Sequence, residues 1–424
     1  MSETVPSITP LLARALHRIR STPPRIIASP ATQPRRAAVA LIVRVVPSPH
    51  SGPITTPSAP PSLNEFFDLD WVRDPGARPE ILFLRREKPS NDEAANRPGR
   101  NGEAHVAFPG GRMEDGDEGG LYTAMRQTWE EIGLDLAERD YTCIGQLDDR
   151  EITTSLGKRL LMILSPFVFL QLTPVTRETD PAPGTTLHWV PFSSLVSFNG
   201  QPAASWSYVT VDAASRLASR HATLLRLLVR WLVGSMQYPA IILDTNSSLP
   251  TPAPTPANEK DWDRSRAMLE SGKAKLDSRS SRCSEELKLW GLSLGMTLDL
   301  MSYMTSPSAF ASALPFDADA VNVMGISMGA GLAPPSLTSV FPRFSYPDVN
   351  FWIWMFGKRY REVIRGWEAS VRTGGMNDRR INWSGSALNT FYAAVRKALV
   401  VVIVARALGL IFGIAFAGWY LFFR

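Results

Sequence analysis

Cysteine is almost absent from this chain of 424 residues, which holds only Cys143 and Cys283. Two cysteines cannot build a disulfide framework, and no secretory signal opens the chain, so the folded part is expected to face a reducing compartment. Histidine is scarce as well, at 5 residues. His17 and His50 fall in soft stretches and are not read as ligands, while His105 reads as a packing or substrate-contact residue. Acidic residues are missing altogether between residues 4 and 64, where Arg14, Arg18, Arg20, Arg25, Arg35, Arg36 and Arg44 lie. That composition fits a disordered basic tail or a mitochondrial transit peptide. Through residues 8–19 it also fits a short basic amphipathic helix on an anionic membrane surface. A formal net charge of +5 is small for this length and argues against a nucleic-acid binder. With 34 prolines, much of the chain is expected to lie outside a packed core, so one globular domain with appendages is the economical reading.

What the chain does have is a dense stretch at residues 108–134, FPGGRMEDGDEGGLYTAMRQTWEEIGL. It joins a turn, Phe108-Pro109-Gly110-Gly111, which lets backbone approach a ligand, to a helix that begins near Gly119 or Gly120. On that helix Gln127, Glu130 and Glu131 stand at i, i+3 and i+4 and share one face. Adjacent carboxylates repel each other, and a divalent cation between them relieves the repulsion. Oxygen ligands without a neighbouring Cys point to magnesium or manganese.

These residues resemble the Nudix box, G-x5-E-x7-R-E-U-x-E-E-x-G-U with U aliphatic. Gly111 opens it, Asp117 takes the first acidic place, and Arg126, Glu130, Glu131, Gly133 and Leu134 fill later ones. Eight residues instead of seven separate Asp117 from Arg126; Glu118 restores the seven but puts Arg112 in the opening place. Gln127 stands where the family carries a Glu. An amide oxygen can coordinate magnesium, yet it brings no charge and accepts no proton at neutral pH. The FPGG-x5-D-x8-R form is similar to the coenzyme A diphosphatase branch, although five residues separate Gly102 from Phe108 here, where that branch has three. The resemblance implies an α/β/α sandwich around a mixed sheet, and magnesium- or manganese-dependent hydrolysis of a pyrophosphate bond in a nucleotide derivative, coenzyme A or an acyl-CoA. It implies Glu130, Glu131, Gly111 and Asp117 at the metal, and Glu130, Glu131, Arg126 and Gln127 as the catalytic set. Gly110, Gly111 and Arg112 would bind substrate, and Arg126 would pair with a box carboxylate, Asp117 first. With Gln127 uncharged, a further carboxylate is needed, and Glu178, Asp148, Asp149 and Glu151 are the candidates. The rival reading is a membrane-anchored protein that keeps the fold, binds a nucleotide or CoA as a sensor and has lost turnover.

Along the chain, residues 36–45 and 81–86 read as sheet strands leading to the box, residues 141–147 and 160–170 as strands after it, and residues 188–195 as a closing strand and turn. Residues 221–234 read as a packed or membrane-surface helix, and residues 246–284, rich in Pro, Ser, Thr and charge, as a disordered insertion. Residues 286–303 read as an apolar helix similar to the final W-G helix of the coenzyme A branch, so both sides of the insertion would fold together. Gly325-Ile326-Ser327-Met328-Gly329 matches a nucleophile elbow, but that fold places its His after the Ser. The last His is His221 and Pro334-Pro335 cuts the following helix, so a glycine-rich loop is the reading.

Aromatic and basic residues alternate from 341 to 372. They could hold single-stranded nucleic acid, but their place before an apolar run favours a membrane-interface belt. Residues 398–423 carry no charge except Arg406, which would have to snorkel or sit at a helix interface, and so read as a single transmembrane helix. The Lys and Arg before it place the domain on the cytoplasmic side, as in a tail anchor, with a mitochondrial or peroxisomal membrane left open. Gly409 and Gly413, extended by Ala417, leave a homodimer through this helix open. The expected organisation is therefore a basic disordered or targeting segment at 1–34, a Nudix domain at 35–303, a juxtamembrane region at 304–397 and the span at 398–423.

Overall fold

The computed structural model describes residues 8–29, 35–52, 59–86, 104–153, 160–195, 205–214, 223–243, 287–304, 339–362, 365 and 386–423. The polar stretch 88–103, the insertion 246–284 and the Gly325–Gly329 motif lie outside them.

The frame is one connected mixed sheet, and β1 (Arg36–Val46) lies inside it. β1 runs parallel to β7 (Leu160–Gln171), from Arg36 opposite Ile163 to Val43 opposite Leu170. It runs antiparallel to β2 (Arg78–Arg86) and to the short β4 (Gly110–Arg112). β2 also pairs with β3 (Ala104–Ala107) and β8 (Thr185–Pro191). β7 carries β5 (Tyr141–Gln146) and β6 (Arg150–Thr153), both antiparallel.

β1 is apolar along its length because both of its faces are covered. Ala38, Ala40 and Ile42 point into a cluster with Ala124 and Ile132 of a helix at Gly120–Ile132. Ala37, Leu41, Val43 and Val45 point into the larger cluster on the other side. Alternate residues of a strand face opposite sides, and here each side has its own layer.

In the far layer, residues 8–29 are ordered where a basic disordered or targeting segment was expected. Helix α1 (Thr9–Ser21) buries Leu12, Ala15, Leu16 and Ile19 in the larger cluster. The basic amphipathic period is real, but its apolar stripe is spent on the sheet. Gly145 of β5 makes room for it, since a Cβ there would stand 3.3 Å from Ile19 Cγ2. The acidic loop then secures the segment that follows. Asp148 accepts from the Arg25 N–H at 2.8 Å, and Asp149 accepts from the Ile27 N–H at 3.0 Å and from Arg36 at 2.6 Å. Two short helices, α2 (Leu63–Asp68) and α3 (Asp70–Arg73), add Phe66 and Trp71 to the same layer.

The box helix is α4 (Gly120–Ile132), followed in the chain by β9 (Ser205–Asp212), α5 (Thr223–Val233) and β10 (Ser235–Leu243). Residues 287–290 are a strand, β11 (Leu287–Trp290), where a helix was expected, and helix α6 (Gly291–Ser302) follows. Leu287 pairs with Leu243 and with Ala104, so β11 joins β10 to β3. Sequence on either side of residues 246–284 thus forms adjacent strands. Arg150 of β6, fully buried, binds Asp299 of α6 and the Leu292 carbonyl, tying the two halves.

The described residues of 341–362 and 386–402 pack as a core where a juxtamembrane region was expected. β12 (Arg343–Phe344) pairs with β10, and Phe341, Phe344, Val349 and Ile353 close over Leu232, Val233 and Met236. Helices α7 (Pro347–Phe356) and α8 (Ser386–Phe423) complete this second core, α8 through Leu388, Phe391, Val395, Ala398, Leu399 and Val402. The first four turns of α8 are core, and only residues 407–423 are exposed all round.

If α1 is a layer of the domain, Leu16→Ala should destabilise the protein by about 2–5 kcal/mol, as a fully buried Leu does. Thermal denaturation checks it, and an unchanged midpoint would return α1 to the status of a tail.

Candidate active site

Two glycines set the entrance to the site. Gly110 has φ +146°, and a Cβ there would lie 2.3 Å from the Ala38 carbonyl oxygen, so only glycine lets β4 close onto β1. At Gly111 a Cβ would meet Gln127 Oε1 at 1.9 Å. The Gln127 amide therefore rests directly on the turn.

From residue 113 the chain folds around Asp117. Its carboxylate accepts from Arg126 Nε and Nη2, both at 2.8 Å, from the Thr123 hydroxyl at 2.9 Å and from the Glu114 N–H at 2.9 Å. The side chain is 2% exposed. The Arg126 guanidinium, first through this pairing, holds the Asp117 carboxyl well below the usual carboxylate range, and Asp117 with Glu130 raises Arg126 in turn. Both Asp117 oxygens are committed to locking the loop on α4. In these contacts the carboxylate expected at the metal serves as an anchor. Arg112 contributes its carbonyl to the same clamp, accepting from Arg126 Nη2 at 3.3 Å.

On the outward face of α4, Gln127 Nε2 donates to Glu130 Oε2 at 2.9 Å, and Arg126 Nη1 donates to Glu130 Oε1 at 2.9 Å. Glu131 turns to a residue that sequence reading missed. Arg86, the last residue of β2, binds both Glu131 oxygens, one at 2.7 Å, and donates to the Phe108 carbonyl at 3.3 Å. The only signal for it was an Arg-Arg pair closing an apolar strand that leads to the box.

Of the supplementary carboxylates, Asp148 holds Arg25, and Asp149 holds Ile27 and Arg36. Glu178 belongs to the segment that crosses the end of α4, where the Asp180 N–H donates to the Ile132 carbonyl at 2.9 Å and the Ala182 N–H to the Glu131 carbonyl at 2.8 Å. His105 packs on Trp290, ring centroids 5.1 Å apart.

The donor set suits a hard cation. Among the described residues no three Asp, Glu, His or Cys side chains converge, but magnesium is commonly held by one or two carboxylates with phosphate oxygens of the substrate. Glu130 and Glu131 supply two carboxylates on the helix whose Gln127 rests on Gly111, and each is bound by an arginine.

Residues 71–226 match the family model described as the NUDIX domain. An uncharacterized protein of Schizosaccharomyces pombe is 26% identical over 230 residues, which cover 54% of this chain; the chain spans about three fifths (61%) of that relative's length. Among solved structures, a Nudix hydrolase from M. smegmatis, RenU, is 18% identical, covering 38% of this chain and 71% of its own, with a TM-score of 0.21. The NUDIX domain of Shewanella oneidensis NrtR, solved with ADP ribose, is 12% identical, covering 40% and 77%, also at 0.21.

Because the Asp117 carboxyl is depressed in the folded protein, its contribution is present above the unfolded value near 3.9 and is lost as pH falls through the lower folded value. Asp117→Asn should lower the denaturation midpoint at neutral pH and flatten its fall below about pH 4. A parallel shift at every pH would contradict the clamp.

Proposed function

We propose, from the match of residues 71–226 to the NUDIX domain, that the chain hydrolyses a pyrophosphate bond in a nucleoside diphosphate derivative, with coenzyme A or an acyl-CoA as substrate and Mg2+ or Mn2+ as cofactor. The observation that carries the proposal is the Glu130–Glu131 pair of α4, presented beside the Gly110–Gly111 turn by the Arg126–Asp117 clamp. A bound divalent cation would neutralise charge on the pyrophosphate and lower the pKa of an attacking water. Glu130 and Glu131 are the residues that would hold it, with the Gly111 carbonyl beside them. Arg86, once released by Glu131, keeps its place against the Phe108 carbonyl and has the planar fork that pairs with a phosphate.

A second reading has its own support. Gln127 offers Glu130 an N–H where a carboxylate would repel it, so Glu130 has a hydrogen-bond donor from the helix itself. A protein of this kind would bind a nucleotide or CoA ligand as a sensor without turning it over.

The apolar length of α8 supports a single crossing of a membrane, with the Nudix domain facing the cytoplasm; Leu388–Phe423 is the helix long and apolar enough among the described residues. The glycine face of that helix also leaves a homodimer open. On carbonate extraction the full chain should stay with the membrane pellet, and its release would return α8 to a soluble core.

Glu131→Gln should abolish turnover and weaken cation binding while the fold persists, because the amide keeps the side chain's size and an oxygen that can still accept from Arg86; unchanged turnover would remove the pair from the mechanism. Gln127→Glu separates the two readings in one assay. In a working enzyme the rate should change little, whereas in a sensor that lost activity at this position it should rise by roughly 10²–10⁴, the range of a general base.

A further inference from the structure

The second core leaves apolar stripes uncovered on the three helices that build it. On α5, Leu224, Leu227 and Trp231 stand at i, i+3 and i+7 and are 82%, 64% and 58% exposed. On α7, Phe351, Trp354 and Met355 stand at i, i+3 and i+4 and are 48%, 42% and 46% exposed. Val400 and Val404 of α8 are exposed too. Large apolar side chains scattered singly are ordinary on a protein surface, but three adjoining stripes mark an interaction face.

All three helices meet at Arg406. Its guanidinium donates to the Leu232 carbonyl at 2.5 Å, at the end of α5, and pairs with Asp348 at 2.6 Å, at the start of α7. It also lies 4.4 Å from the centroid of the Tyr346 ring, whose hydroxyl donates to the Trp231 carbonyl at 3.2 Å. A cleft of about 320 Å3 opens at this junction between Trp231, Tyr346, Arg406 and Leu410. The charge on Arg406 is thus met by a carboxylate, a carbonyl and an aromatic face, which is what a guanidinium requires if it is to lie below the surface of a bilayer.

The length of α8 says why it would lie there. Residues 407–423 give about 25 Å of helix at about 1.5 Å per residue, while a hydrocarbon core is about 30 Å thick. The shortfall is about one turn, and the turn before it holds Arg406 with Ile403 and Val404. Bringing that turn into the bilayer draws the ends of α5 and α7 to headgroup depth. Tryptophan is favoured at that depth, as are arginine and lysine, and both kinds of residue are present: Arg230 on α5 and Lys358 and Arg359 after α7 are exposed beside the stripes.

We infer that the exposed stripes of α5 and α7 form a lipid-contacting collar, seated in the interface of the bilayer that α8 crosses, with Arg406–Asp348 as its submerged ion pair. This rests on the membrane reading of α8. The collar would hold the Nudix domain against the bilayer instead of leaving it on a free tether.

The test uses the full chain with Cys143→Ser and Cys283→Ser, reconstituted in vesicles of phosphatidylcholine and phosphatidylserine. Single reporters at Leu227→Cys, Trp354→Cys, Phe416→Cys and Val175→Cys carry a fluorescent label, and quenching by brominated lipids is compared with quenching by aqueous iodide. Val175 is 74% exposed on the Nudix domain and serves as the water reference. Positions 227 and 354 should be quenched by lipids brominated near the headgroup and several-fold less than position 175 by iodide, with position 416 quenched by deeply brominated lipid. Lipid quenching at 416 with iodide quenching at 227 and 354 equal to that at 175 would overturn the collar and leave the span. Iodide quenching at 416 would overturn the membrane reading and the collar together. Shielding of 227 and 354 from both quenchers would show a second copy or another protein on this face and overturn the lipid assignment.

Discussion

Two carboxylates next to each other on one helix must be compensated, and that constraint organises the site. Glu130 and Glu131 are answered by Arg126 and Arg86, which come from opposite sides of the turn. Arg126 reaches back from Glu130 to Asp117 and fixes the loop, while Arg86 reaches from the end of β2 and fixes the rim. Charge-assisted, partly bidentate contacts of this kind carry directional information as well as energy. The same compensation is what a cation would provide, so a cation held by Glu131 would compete with Arg86 for that carboxylate.

That site is presented by a sheet with a layer on each face, and the sheet extends well beyond the span that matches the NUDIX domain. β1 precedes residue 71, and β10, β11 and β12 follow residue 226, yet all belong to one connected set of strands. Through β10 the sheet passes without a break into the second cluster, and through that cluster into α8. The apolar C-terminal helix is therefore rooted in packed side chains for its first four turns.

The strands around the site were legible because burial on both faces writes a plain apolar run, as in β1 and β7. The face of α4 was legible because i, i+3, i+4 spacing is a property of the helix alone, and Gln127, Glu130 and Glu131 needed nothing more to be placed together. What the sequence hid was what covers what. The stripe of Leu12, Leu16 and Ile19 reads as amphipathic whether it meets a membrane or a sheet, and the sheet took it. Four residues at Leu287–Trp290 are too few to reveal a period, and their strand identity comes from Leu243, on the far side of the insertion. Arg86 lies 45 residues from Glu131, and Arg406 lies 58 from Asp348. Neither pairing leaves a trace in local pattern, and both turned out to matter at a surface where chemistry or lipid is proposed.

The Glu130–Glu131 face of α4 is proposed to support hydrolysis of a pyrophosphate bond. The most direct measurement is incubation of the purified full chain with coenzyme A and magnesium, with products separated by chromatography. The account predicts multiple-turnover release of 3',5'-ADP that depends on the cation. Coenzyme A recovered intact from a protein that binds it would contradict the enzyme and leave the sensor.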